Sequence, residues 1–278
     1  MLGGKWIAAI AAAVSMVIVA ASHAEDFHPV VQSAVAADSV TLESSARARF
    51  GWTEIAFRSD KPKAWDEIIS PELRVSVKIL SGLFEGRLEL GALSDQFDRH
   101  ETSSTNQIKA ELQLGIRLGN WSILGEWKGR DTFSFEDHDF LVGLNVYDLR
   151  VRRRFVAPLF ERLPAGQFQL AVAAGYSAAM PSVFQRNFAE AELEAVQPLG
   201  NGFAMMVAPK VELNDYVDFN GKDRTDTVLS IRLVPSYSFG SGMTVSVEGQ
   251  ATVALSTLDT KNGESWGVTP ILRLQQSL

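Results

Sequence analysis

Between Ile108 and Arg130 the chain alternates with a period of two. Ile108, Ala110, Leu112, Leu114, Ile116 and Leu118 are apolar, and Lys109, Glu111, Gln113, Gly115 and Arg117 stand between them. Successive side chains of a strand point to opposite faces, so this is a ribbon with one greasy and one wet side. Gly119 and Asn120 make a two-residue turn, after which Trp121, Ile123 and Trp127 continue the apolar face against Ser122, Glu126, Lys128 and Arg130. The stretch reads as a β-hairpin whose wet face is ionic.

The pattern recurs along the chain. A first strand over about 40–57 sets Ala46, Ala48, Phe50 and Trp52 against Arg47 and Arg49. Leu73, Val75, Val77 and Ile79 alternate with Arg74, Ser76 and Lys78, and Phe84, Leu88, Leu90 and Ala92 oppose Glu85, Arg87 and Glu89. Beyond the hairpin, Phe140, Val142, Leu144 and Val146 predict the apolar face of a sixth strand that runs on through Asp148 to Arg154. Phe168, Leu170, Val172, Ala174 and Tyr176 mark a seventh, whose other face is small: Ala171, Ala173 and Gly175. Glu190, Glu192 and Glu194 form the wet face of the eighth, and four more strands begin at Phe203, Leu229, Met243 and Trp266. Alternate connections are long and polar: Arg58–Ser70, Ser94–Thr105, Asp131–Asp137, Ala178–Arg186, Asp215–Asp226 and Leu255–Glu264. The others are tight turns at Ser81, Gly119, Gly200 and Ser241, and only the stretch around Pro158 and Pro164 departs from that rule.

The first segment indicates the compartment. Lys5, the apolar run Trp6–Ala21 and the small residues around Ser22, His23 and Ala24 compose a secretory signal peptide over 1–24, with residues 25–39 as a short periplasmic leader. There is no cysteine, so neither a disulfide framework nor a lipidated cysteine is available. After residue 24 no apolar run reaches the roughly 20 residues of a membrane-spanning helix. A hydrophobic fraction of 46% is ordinary for a globular chain, and equally ordinary for a sheet in which only alternate residues meet lipid.

These features predict an all-β fold: a single antiparallel up-and-down transmembrane β-barrel of about 12 strands over residues 40–278, with lipid on the apolar side and a polar lumen on the other. An even strand count returns both ends of the sheet to one side, where the short turns also lie. Trp121, Phe168, Phe203 and Phe239 fall at the short-turn ends and Trp52, Trp127, Tyr176 and Trp266 towards the long-loop ends, as two aromatic girdles. On signal peptide, alternation, loop asymmetry and terminal strand, the chain resembles the bacterial outer-membrane β-barrels. It ends on Leu278, where such barrels commonly carry an aromatic residue, and has Gln276 at a position usually apolar.

The candidate lumen lining is ionic in both signs: Arg47, Arg49, Arg74, Lys78, Arg87, Glu89, Lys109, Glu111, Arg117, Glu126, Lys128, Glu190, Glu192, Glu194, Lys210, Glu212, Arg232, Glu248 and Arg273. Such charges either pair across strands or line a selective passage, and the ladder Glu190, Glu192, Glu194 beside the small face of the seventh strand predicts open volume with an electrostatic bias. If alternation continues from Val146, Arg150, Arg152 and Arg154 emerge among periplasmic headgroups. A secreted chain of net charge −7 is an unsuitable partner for nucleic acid. The histidines His28, His100 and His138 have no metal-ligand spacing, so neither metal nor cofactor is expected. Asp215, Asp218, Asn220, Gly221 and Asp223 lack the closing glutamate of an EF-hand and read as turn chemistry. Gly175–Ala179 half matches a nucleophile elbow without its strand-to-helix setting. Outer-membrane phospholipases pair Ser with His on the lipid side of a twelve-stranded barrel, and no histidine here falls on an apolar strand face beside a serine. The expectation is therefore a narrow porin-like channel for small polar solutes, not an enzyme, whose partners are membrane lipids, lipopolysaccharide and the outer-membrane assembly machinery. A non-conducting structural or surface-interaction barrel is the alternative, and a lipid-modifying barrel enzyme comes third.

Overall fold

The computed structural model describes residues 39–54, 65–99, 104–157, 163–239, 242–258 and 262–277. The predicted signal peptide and the predicted leader up to residue 38, with Leu278, His28 and His100, lie outside them. Twelve strands form one closed antiparallel barrel in which each strand pairs with its neighbours in sequence and the last pairs with the first. They are β1 (Ser39–Glu54), β2 (Trp65–Ser81), β3 (Phe84–Phe97), β4 (Thr105–Leu118), β5 (Trp121–Ser134) and β6 (Phe140–Ala157), then β7 (Gly166–Met180), β8 (Arg186–Gly200), β9 (Phe203–Phe219), β10 (Lys222–Phe239), β11 (Met243–Ser256) and β12 (Gly263–Ser277). The first strand thus begins one residue before the predicted start of the barrel. A short 3-10 turn, Ser182–Phe184, links β7 to β8.

Closure follows from β1 pairing with β12 from Thr41↔Ser277 to Thr53↔Ser265 and with β2 along its whole length. The strands are steeply tilted. Stepping from strand to strand along the register leads from Arg117 at the short-turn end of β4, through Arg152 and Glu192, to Ser265 near the opposite end of β12. Tilt of this kind is what closing a sheet requires.

The two faces differ as alternation demands. Leu73, Leu114 and Leu149 are 66%, 59% and 59% exposed, whereas Glu43, Glu72, Glu126, Asp148 and Glu190 are buried. The apolar residues therefore coat the outside and the charges fill the inside, an inversion of a soluble core. Among the described residues the one buried apolar cluster is Ile68 with Phe97, high on β2 and β3.

Two sequence expectations are corrected. Several long loops are shorter than their polarity suggested, because the strands continue into them: β2 begins at Trp65, β3 reaches Phe97, and β9 and β10 leave only Asn220 and Gly221 between them. Both of those residues have positive φ, 54° and 71°, as do Asn201 and Gly202 at the opposite end, the Asn-Gly pattern of a tight hairpin turn. The stretch from Asp215 to Asp223, which read as a polar loop, is thus mostly strand. The second correction concerns β6. Leu144 is buried on the inner side and Tyr147 and Leu149 face outwards, so Arg150, Arg152 and Arg154 point into the barrel rather than to lipid headgroups. Asp148 and these arginines share a parity with Leu144 and Val146. Placing three guanidiniums in lipid costs far more than placing two aliphatic side chains inside.

Leu112→Arg, on the outward face half way up β4, is expected to lower unfolding free energy by about 2–4 kcal/mol, and Asn187→Arg, at the far edge of the apolar band, by about 0–1 kcal/mol. Denaturant titration of the protein in lipid vesicles checks both.

Candidate functional site: the charged interior

The inner face is organised by ion pairs between strands. On β1 and its neighbours, Glu43 accepts from Lys78 at 3.3 Å and is ion-paired with Arg273 at 3.2 Å. Glu72 holds Arg74 at 2.8 Å and Lys109 at 3.2 Å, and Arg74 reaches on to Glu89 at 3.1 Å, which also pairs with Arg87. On the far wall, Lys210 joins Glu190 at 2.5 Å to Glu212 at 3.0 Å, and Arg232 lies 2.5 Å from Glu192 and 3.8 Å from Glu248. Arg47 and Arg49 share the inner parity of β1 with Glu43.

Between these walls the pairs skip strands. Arg150 is opposite Ala173, and Ala173 is opposite Glu190, so the three stand in one row across β6, β7 and β8. Arg150 passes over the methyl group of Ala173 to reach Glu190 at 2.5 Å, while its Nε approaches Glu126 at 3.2 Å. The small face of β7 is what permits this. At Gly175 even a methyl group would fall 2.1 Å from the Tyr147 carbonyl. Glu126 in turn holds Lys128 at 2.7 Å, and Lys128 reaches Asp148 at 3.4 Å. Nearer the short-turn end Arg152 crosses two strands to Glu85, which Arg117 also approaches at 3.8 Å.

The structure thus brings most of the predicted lining residues into shared clusters. Glu111 and Glu194 stand on the same face with no ion pair among the described residues. A cavity of roughly 260 Å³ opens beside Glu111 and is walled by Arg74, Glu89, Lys109, Lys128 and Arg130 from one side and by Arg186 from the other. Towards the long-loop mouth, Arg224 is held by Asp226 at 2.5 Å and lies over the rings of Tyr216 and Phe219, at 4.2 and 4.4 Å.

Sequence reasoning missed Glu43, Glu72, Asp148 and the inward role of Arg150 and Arg152. Glu43 and Glu72 were readable by extending the alternation of Arg47 and Arg74 towards the strand ends. The elbow-like Ser177 is fully buried within extended strand β7, three residues from its end, and His138 sits at φ 57° in an exposed connection. Among the described residues no group of three or more His, Asp or Glu is placed to hold a metal ion.

The outward aromatics collect at two levels. Trp52 pairs with Trp266 across the closing seam, and Trp127, midway along β5, shares a row with Tyr147 and Tyr176. The Trp127 indole N–H donates to Asn145 at 3.1 Å, where the outward face turns polar. At the short-turn end, Phe168 stacks on Phe155 with centroids 5.1 Å apart, Phe203 and Phe239 flank Tyr237 at 4.6 and 4.7 Å, and Trp121 opens β5. Tyr147 and Phe155 were hidden by the misassigned face of β6.

A closed barrel with a predominantly apolar exterior, aromatic rims and an ionic interior has the fold of the bacterial outer-membrane β-barrels. The chain is similar to the translocator domain of the autotransporter NalP from Neisseria meningitidis, at 13% identity over 86% of this chain and 92% of that one, with a TM-score of 0.50. It is also similar to an outer-membrane channel from Pseudomonas putida F1, at 10% identity over 91% of this chain and 97% of that one, with a TM-score of 0.52. No protein-family profile matches the sequence, and no curated protein does.

Replacing Arg150 and Glu190 by Gln, singly and together, is expected to give a coupling energy of about 0.5–3 kcal/mol in a double-mutant cycle read by denaturant unfolding. A value near zero would show that the pair is spanned by water.

Proposed function

We propose that the protein resides in the outer membrane of a Gram-negative bacterium and passes small polar solutes through a narrow lumen. One observation carries this reading: the interior is ionic and holds a cavity of roughly 260 Å³, room for several waters, walled by charges of both signs, where a closed structural barrel would pack side chains tightly. Twelve strands lie between the filled eight-stranded barrels and the open sixteen-stranded porins, which agrees with a restricted bore. The Pseudomonas putida relative in fold is itself described as a channel.

A second reading, a non-conducting barrel, is favoured by the arms that reach across the wall, Arg152 to Glu85 and Arg150 to Glu190. Ion pairs of this kind narrow the interior and stiffen it.

Purified protein in planar bilayers is expected to give discrete openings, and liposomes containing it to admit small polar solutes. A trace closed at every voltage with no flux would overturn the channel and leave the second reading. Because Glu190 and Glu192 are occupied by cations, Glu111 and Glu194 are the acids whose loss matters most for ion preference. Glu111→Gln with Glu194→Gln should move the reversal potential towards anions, and an unchanged potential would assign both to structure.

A further inference from the structure

One cation stands on the wrong side of the wall. In the half of the outer face nearer the short turns, Arg153 is the only charged side chain among the described outward residues, since its neighbours Arg150, Arg152 and Arg154 all turn inwards. It is opposite Trp121 on β5 and Leu170 on β7, with Val151 and Phe155 before and after it on the same face. Its guanidinium lies over the Trp121 ring, 5.3 Å from the centroid. Nε and Nη1 are buried and make no hydrogen bond, and no carboxylate lies near them on this face among the described residues.

The site is placed at a water interface by its surroundings. Arg154 donates its backbone N–H to the carbonyl of Asn120 in the two-residue β4–β5 turn, so Arg153 is at the rim of the barrel, level with Trp121 and the stacked pair Phe155 and Phe168. At that level the hydrocarbon of a bilayer gives way to phosphate groups. With Nε and Nη1 buried against the wall, the remaining amino group, Nη2, is the donor left for a second partner, and a phosphate oxygen is the acceptor that suits a cation at this level. The aromatic and aliphatic side chains around it match the acyl chains that such a phosphate carries.

We propose that Arg153, seated on Trp121, binds the phosphate of a membrane phospholipid in the leaflet facing the short turns, with the apolar outer surface of Leu170 and the stacked pair Phe155 and Phe168 taking the first part of an acyl chain. The inference rests on the membrane reading above but not on conduction, so a barrel that proves closed leaves it standing.

The test is retention of lipid by the full mature barrel, purified in a maltoside detergent and titrated with phosphatidylglycerol, with bound lipid counted by native mass spectrometry. The unaltered protein is expected to hold one phospholipid at least tenfold more tightly than Arg153→Gln, and Arg153→Lys should be intermediate because it keeps the charge and loses the planar group that stacks on Trp121. Diacylglycerol, which has the chains without the phosphate, should not bind at this site, and inorganic phosphate at equal concentration should not displace the lipid. Equal retention by Arg153→Gln, equal binding of diacylglycerol, or displacement by inorganic phosphate would each overturn the proposal. The heat-dependent shift of the folded band on gels verifies that each variant is a closed barrel, and Trp121→Leu, which removes the platform and leaves the charge, should weaken retention without altering that shift.

Discussion

The structure depends on the seam between β1 and β12. In hydrocarbon an unpaired backbone N–H or C=O has no water to turn to, so a sheet can enter a bilayer only if it has no edge. Joining Thr41–Thr53 to Ser265–Ser277 removes the two edges that an open twelve-stranded sheet would carry. Everything else follows from that closure: the tilt of the strands, the return of both ends of the sheet to the short-turn side, and the division of each ribbon into a face towards lipid and a face towards its own interior.

That division decides where charge can reside. A soluble barrel of this size would hide its leucines and show its glutamates, and this one does the reverse. The interior consequently cannot be held by apolar packing, and it is held instead by carboxylates that each serve two or more cations, such as Glu72, Glu126 and Glu190. Paired charges in a confined space are costly to separate and insensitive to the exact shape of their neighbours. An ionic interior can therefore leave room for water in a way that a jigsaw of aliphatic side chains cannot.

Much of this was legible in the sequence, and the exceptions have physical causes. The period of two is a local property, so the inward set on β1 to β5 and β7 to β12 follows from residue types alone. Alternation fails as a guide where a strand leaves the lipid, because there both faces meet water and both are free to be polar. Ser94–Phe97 and Asp215–Phe219 accordingly read as loops while their backbones remain paired. The face of β6 was ambiguous for the same reason: Leu144 and Val146 lie high on the strand, where the membrane's demand is weaker, and outvoted the arginines below them. Pairs that jump a strand are invisible to any local rule. Arg150 meets Glu190 only because Ala173 lies between them, and a small face read as vacant volume is the path of an arginine side chain.

The continuation of β9 and β10 to a two-residue turn has a consequence for whatever approaches that end of the barrel. Where a long irregular loop would present a cloud of conformations, a paired ribbon pinned by Asn220 and Gly221, and braced inside by Arg224 between two aromatic rings, presents one contour. Any macromolecule docking on that projection would meet a surface already in its final shape and would lose little entropy in gripping it.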